Sequence, residues 1–252
     1  MAKYFQNTNP LCRLYLKAID FFFPLFCLNC EKKIQTTIYF GFCKQCFRNL
    51  DFIKQNKCIK CGRETAQPNI LCSQCKGKKL YYDRCISPLN LNQTIKNAII
   101  KFKYKERKSY AYYFAKLMAH KIQQELPNEE INKTILTYVP LSWKKKLIRG
   151  FNQSELIANN LSKTLLFSKY GKYLKKVRNN ESQTALKLAE RQKNVKNVYA
   201  ISTNRKNIKG KTFIIIDDIF TTGSTINECA KILKKFGAKK VIGATIASGI
   251  IL

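Results

Sequence analysis

The chain has 252 residues, an apolar fraction of 45% and a formal net charge of +32, from 47 Lys plus Arg against 15 Asp plus Glu. That length admits one large domain or a main domain with a smaller module, and the apolar fraction suffices to bury a core. The charge excludes a near-neutral surface, and no stretch reaches the roughly 18 apolar residues of a membrane-spanning helix.

Coding bias toward lysine accounts for part of the charge, since only 9 of the 47 basic residues are Arg, but it does not account for the scarcity of acids. Residues 131–216 hold 19 Lys or Arg and only Glu155, Glu181 and Glu190, a balance of +16 over 86 residues. A polyanion partner, nucleic acid in first place, is favoured over a merely solvated basic surface.

The N-terminal "LYLKAIDFFFPLFC" carries Lys17 and Asp20 and runs straight into a cysteine pair. A short amphipathic helix within residues 1–24, able to touch a membrane or a partner, is expected there, with neither a signal peptide nor an anchor. A cytoplasmic location follows by default.

Eight of the eleven Cys then fall into four CxxC pairs, Cys27/Cys30, Cys43/Cys46, Cys58/Cys61 and Cys72/Cys75, with 12, 11 and 10 residues between successive pairs. Each pair turns two sulfurs toward one ion, and two pairs complete a closed tetrahedral site, so the spacing predicts two structural zincs over residues 25–80. Disulfides are disfavoured without secretory features, and a redox CxxC would stand alone beside a βαβ pattern. Sequential pairing closes the shorter loops and is preferred, while spacing leaves an interleaved arrangement open. A four-thiolate site has no open coordination position, so this zinc is scaffold rather than catalyst. Cys12, Cys85 and Cys229 read as small buried hydrophobes.

An α/β domain is expected over residues 81–252. "KGKKLYYDRC" reads as a linker entering a strand; "TIKNAIIKFKYKERK" and "SYAYYFAKLMAHKIQQEL" have helical periodicity, closed by Pro127. His120, the single histidine, lies in the second of these and reads as a helix residue without catalytic work. Strands and helices alternate from residue 134: "TILTYV", the helix "SELIANNLSKTLL" with Ile157, Leu161 and Leu165 on one face, "TFIII", the helix "STINECAKILKKFG", and "KKVIGATIA". In the second helix Ile226, Cys229, Ala230, Leu233 and Phe236 face inward, and Gly237 suits a left-handed end. Such alternation predicts a doubly wound parallel sheet with ligands at the carboxyl ends of its strands.

Asp217 and Asp218 emerge from the apolar strand "FIII" and are followed by Thr221, Thr222, Gly223, Ser224 and Thr225 at a helix start. Backbone N–H groups, small hydroxyls and a glycine there make a monophosphate cradle, and the carboxylates suit ribose hydroxyls or a bridged Mg2+. A nucleotide P-loop, GxxxxGK[ST], is absent. The ligand described is a sugar phosphate.

This stretch resembles the PRPP-binding signature of type I phosphoribosyltransferases, in which the acidic pair holds the ribose hydroxyls and the Thr/Gly loop holds the 5′-phosphate. Two further blocks, "YVPLSWKKKLIRGFNQSELIA" (138–158) and "RNNESQTALKLAERQKNVKNVYAI" (178–201), are similar to the ComF family of competence-related proteins. That family joins a double zinc ribbon to a phosphoribosyltransferase-like domain, and this order of parts covers nearly the whole chain. The resemblance implies that Lys144, Lys145, Lys146 and Arg149, with Gly150, form a loop on the pyrophosphate side, and that Arg178, Gln183, Arg191 and Asn194 belong to a mobile hood over the sugar phosphate. The hood departs from the usual family pattern in lacking Pro and Gly around Gln183 and in carrying Tyr199 where Phe is usual. The implied role is the handling of internalised single-stranded DNA in natural transformation, with Mg2+-held PRPP or a related phosphosugar as ligand and a helicase at the inner membrane as partner. An active phosphoribosyltransferase of nucleotide metabolism, or a PRPP-responsive protein without turnover, is the alternative. Basic stretches interleaved with aromatics, "KFKYKERKSYAYYF" and "KYGKYLKKVR", suit phosphate contact and base stacking, although ordinary packing also uses such residues.

Overall fold

A computed structural model describes residues 25–35, 39–104, 107–177 and 198–249. The helix expected within residues 1–24 and the hood residues Arg178, Gln183, Arg191 and Asn194 lie outside these. The chain divides into two compact units, one ending at Asn49 and one beginning at Leu50.

In the smaller unit, β1 (Leu25–Phe26) pairs antiparallel with β2 (Lys33–Ile34), and α1 spans Lys44–Arg48. Cys43 caps α1, its sulfur accepting the amide of Cys46 at 3.4 Å, while Cys27 Sγ accepts the amide of Cys43 at 3.3 Å. Leu28, Ile34 and Phe42 are buried around this knuckle.

The larger unit holds the second knuckle and the α/β body. Its sheet contains β3 (Arg84–Ile86), β4 (Leu89–Asn90), β5 (Thr134–Tyr138), β6 (Lys169–Tyr170), β9 (Thr212–Phe220) and β10 (Lys240–Ser248). The order is β3-β10-β9-β5-β6, with β4 also on β10, and every pairing is parallel. Between β4 and β5 come α2 (Gln93–Tyr104), α3 (Tyr110–Glu125) and the short α4 (Asn128–Asn132). Two helices, α5 (Trp143–Arg149) and α6 (Gln153–Thr164), lead to β6, and α7 (Ser224–Lys235) joins β9 to β10. A separate antiparallel hairpin pairs β7 (Leu174–Lys176) with β8 (Tyr199–Ile201).

The sheet is doubly wound, as its apolar strands and intervening helices predict: from adjacent β5 and β9 the chain moves outward in opposite directions, to β6 and to β10. Side chains alternate across β9, so Phe213 and Ile215 join a buried cluster with Ile226, Cys229 and Leu233 of α7, and Ile214 and Ile216 fill the other face. Phe236 is partly buried against the same cluster, and Gly237 is left-handed at φ 94°. Burial pushes the thiols of Cys85 and Cys229 well up, in keeping with their reading as hydrophobes. His120 sits on the exposed side of α3 beside Gln124.

Strand β9 runs four residues beyond the expected "TFIII". The reason is one-sided pairing: β5 partners it only as far as Tyr138 opposite Ile216, whereas β10 follows it to Ser248 opposite Phe220. Among the described residues, no helix is long and apolar enough to cross a membrane.

Cys58, Cys61 and Cys75 belong to the same buried cluster as Phe213 and Ile215. We therefore expect Cys61→Ser to remove one zinc per chain and lower the main melting transition by on the order of 10 °C, as metal analysis and calorimetry would register. An unmoved melt would mean that this ribbon folds independently of the sheet.

Candidate functional site

Beyond Val139, whose amide donates to Ile216 O at 2.9 Å, the chain leaves the sheet, and a crevice opens beside the exposed end of β9. Asp217 and Asp218 lie at this point. Asp217 Oδ1 accepts the amide of Asp218 at 2.9 Å and the hydroxyl of Ser154 at 3.2 Å; its Oδ2 has no partner among the described residues. Asp218 Oδ1 accepts the amide of Ile219 at 2.6 Å, and its Oδ2 forms an ion pair with Lys103 from the last turn of α2. Burial, reinforced by the adjacent Asp218 charge, pushes Asp217 up to about 7, against the opposing pull of the Asp218 amide, Lys103 and Ser154.

After β9 the chain turns through Thr221, Thr222 and Gly223 into α7. Gly223 has φ 75°, and a Cβ there would press into the Phe220 ring, so both conformation and space demand glycine. Thr222 Oγ1 shares a hydrogen bond with Ser224 Oγ at 2.8 Å and accepts the Ser224 amide at 3.3 Å. The N-cap residue of α7, Gly223, brings no side chain, so Thr222 takes the Ser224 amide alone among the first-turn N–H groups of the described residues. The remaining first-turn N–H groups of α7 and its positive dipole end open onto a shallow cup lined by Asp217 and residues 219–226.

The opposite side is built by the block 142–154. The three lysines do not lie in a loop: Ser142 caps α5 by accepting the Lys145 amide at 3.4 Å, and Gly150, at φ 72°, ends it. Helical phase then divides the cations. Lys144, set over the Trp143 ring at 5.7 Å, and Lys146 are exposed, while Lys145 and Arg149 are half-buried. Burial, then the neighbouring Arg149 charge, draws Lys145 down, and Asp218 is among the groups that pull it back. Arg149 donates to Gln153 Oε1 at 3.1 Å and to the Tyr104 hydroxyl at 3.0 Å. Gln153 Nε2 is buried with no acceptor among the described residues. Asn152 caps α6 through the Ser154 amide at 3.1 Å and ties back to Val139 O at 3.1 Å, and Phe151 packs on Phe102 at 5.6 Å. The turn is thus fixed to both β5 and α2.

The structure brings together Asp217, Asp218, Thr221, Thr222, Gly223, Ser224 and Thr225, with Lys145 within electrostatic reach of Asp218 and Arg149 beside Lys145. It adds Lys103 and Ser154, which no local pattern singled out.

A phosphoribosyl transferase domain model matches residues 149–250, and a double zinc ribbon model matches residues 18–76. Competence protein F of Haemophilus influenzae is 23% identical over 87% of this chain and 95% of its own length. The DNA utilization protein YhgH of Salmonella typhimurium is 26% identical over 86% of this chain and 94% of its own. Competence protein ComFC of Bacillus subtilis is 25% identical over 84% of this chain and 82% of its own. The chain thus joins a double zinc ribbon to a phosphoribosyl transferase domain, and it is similar over most of its length to these competence and DNA utilization proteins.

In this chain the cysteines pair sequentially: Cys27, Cys30, Cys43 and Cys46 form one cluster, and Cys58, Cys61, Cys72 and Cys75 the other, each with its sulfurs within 4.8 Å of one another. The Cys30–Cys43 and Cys61–Cys72 sulfurs are 3.8 and 3.6 Å apart. A tetrahedron of about 2.3 Å Zn–S bonds has edges of about 3.8 Å, so the donor sets fit zinc. Burial opposes ionisation of Cys58, yet the amides of Cys72, Cys61 and Lys60 overcome it and draw the thiol down to about 7.

The raised Asp217 has a consequence for stability. Below about pH 4 its carboxyl is neutral whether the chain is folded or not; as pH climbs through about 7 the folded state must give up that proton against burial, and stability is lost. Asp217→Asn keeps the Oδ1 acceptor and removes the titration. Its melting temperature should match the parent near pH 4 and exceed it by several degrees at pH 8, in calorimetry across that range.

Proposed function

We propose that this chain binds the 5-phosphoribosyl group of PRPP, or of a related phosphosugar, in the crevice between β5 and β9, and that it serves the handling of internalised single-stranded DNA in the cytoplasm. The observation that carries this reading is the cup that Asp217 shares with residues 219–226 at the start of α7, with Asp218 beside it in the chain. Each end suits a different part of one ligand: phosphate on the amides and hydroxyls of 221–225, ribose hydroxyls on Asp217 and Asp218. Asp217 Oδ2 and the Asp218 carboxylate, which already attracts the Lys103 ammonium, would hold Mg2+, whose contribution is to neutralise pyrophosphate charge. Lys145 and Arg149 suit the pyrophosphate side; Lys144 and Lys146, exposed, suit encounter rather than contact.

The DNA part of the reading is supported by the names of the relatives and by exposed aromatics set among cations. Tyr104, Tyr112 and Tyr170 are exposed, and Lys116 lies over the Tyr112 ring at 4.5 Å, an arrangement suited to stacking and phosphate contact. Phe102, Tyr110, Phe114 and Tyr173 of the same stretches are buried and serve the core. The double ribbon we assign to docking of DNA or of a helicase.

Titration calorimetry with Mg2+ and PRPP tests the first part. Asp217→Asn combined with Asp218→Asn should weaken binding by about 100-fold or more. Parent affinity should rise as pH passes upward through about 7, because the competent site carries an ionised Asp217. Unchanged binding in the double variant would overturn the reading, and pyrophosphate release with added bases or amines would turn it toward the transferase alternative.

Single-stranded oligonucleotide affinity should fall about 50-fold between 50 and 200 mM salt if about four phosphates are contacted. A flat salt dependence, or no binding, would remove DNA from the proposal.

A further inference from the structure

Arg63 belongs to the second zinc knuckle, two residues after Cys61, and its carbonyl accepts the Cys58 amide at 2.7 Å. Its side chain leaves the knuckle for the end of the sheet. Nη2 donates to the carbonyl of Thr221 and, at 3.4 Å, to that of Gly249; Nε donates to Ser248 Oγ at 3.3 Å. Nη1 donates to Gln74 Oε1, inside the Cys72–Cys75 turn. The guanidinium also lies over the Phe220 ring at 5.5 Å. One side chain therefore joins both turns of a four-cysteine cluster to the carboxyl ends of β9 and β10.

The packing below follows the same line. Tyr82, fully buried, meets Phe220 edge-on at 5.9 Å and 86°, and the Phe220 ring fills the space under Gly223. Gly62, at φ 71°, lies so close to the Cys85 carbonyl that a Cβ would clash with backbone, and the Cys85 amide donates to Lys60 O at 2.7 Å. The knuckle thus reaches the loop through the Arg63 guanidinium and the Phe220 ring, and β3 through its backbone.

A carbonyl exposed at an anion site repels the anion. Arg63 captures that of Thr221, and because the trans peptide is planar, the Thr222 N–H of the same unit must point away from Arg63. Held by a rigid fork on a metal-fixed turn, this peptide keeps one orientation without drawing on the ligand to impose it. We propose that the second zinc ribbon, through Arg63, holds residues 221–225 in their phosphate-binding conformation, so that loss of zinc from Cys58, Cys61, Cys72 and Cys75 loosens the sugar-phosphate site. Arg63 is a positioning residue in this scheme, and the scheme rests on the 5-phosphoribosyl reading for its ligand.

The test is made on the full chain. Hydrogen exchange without ligand should show amides 221–226 exchanging about 10-fold faster in Arg63→Ala, while Phe213–Ile216 and β10 keep their protection and zinc content stays at two. Arg63→Lys, with a point charge in place of a fork, should fall between parent and alanine variant. PRPP affinity in Mg2+ should drop about 10-fold in Arg63→Ala, with the melting temperature nearly unchanged. Mild chelation of the parent that removes one zinc should reproduce the loop signature. Parent-like loop exchange in Arg63→Ala would overturn the inference whatever the ligand, whereas failure of the parent itself to bind PRPP would count against the phosphoribosyl reading alone.

Discussion

Two adjacent carboxylates at the end of a buried strand repel each other, and a chain with so few acids places them there only by building cations and donors around them. Lys103 neutralises Asp218, while Ser154 and the Asp218 amide take one oxygen of Asp217 and leave the other without a partner among the described residues. The remaining imbalance is stored as the raised Asp217, a carboxyl that is costly to ionise until something positive or hydrogen-bonding arrives. Much of the surrounding structure follows from this constraint. The last turn of α2 must reach the crevice to deliver Lys103, and α6 must start beside β9 to deliver Ser154. The 149–153 turn is pinned by Phe151 on Phe102 and by Asn152 on Val139, which fixes where both helices begin and end.

The crevice exists because the sheet is paired unequally. Had β5 continued alongside β9 past Tyr138, the acidic pair would lie in the middle of a closed sheet and no ligand could approach it. Its departure exposes one side of β9, while β10 still supports the other as far as Phe220. That support extends outward through Ser248, Arg63 and Tyr82 to the second cysteine cluster, so residues 221–225 are braced from the ribbon side.

What the sequence made legible was what it holds locally. Four CxxC pairs encode their own turns, and β9, the Thr/Gly loop and α7 form one continuous stretch whose order is their geometry. The residues that escaped notice act across the chain: Ser154 meets Asp217 over 63 positions and Arg63 meets Thr221 over 158. "KKK" looked like a loop because its charge obscured a helix that Ser142 and Gly150 delimit, and only helical phase distinguishes half-buried Lys145 from its exposed neighbours. The end of β9 was placed too early for a related reason: hydropathy stops at Asp217, but the hydrogen bonds to β10 do not. Half of the aromatics in the basic stretches proved to be core, since alternating charge and ring reads the same on a packed helix as on a binding face.

The acidic pair also separates two kinds of polyanion that the net charge of +32 attracts alike. An internal stretch of single-stranded DNA offers phosphates to the lysines but no free vicinal hydroxyls, because deoxyribose lacks one and chain linkage occupies the other; brought to the crevice, its backbone charge would meet Asp217 and Asp218. A phosphoribosyl group presents phosphate at one end and two hydroxyls at the other, and can be lined by a bound cation that the carboxylates welcome. Under the proposed function, repulsion would keep a nucleic-acid backbone out of the crevice and on the basic surface where Tyr112 and Tyr170 are exposed. The sign of the local charge would in this way send the two ligands of the proposed function to different places.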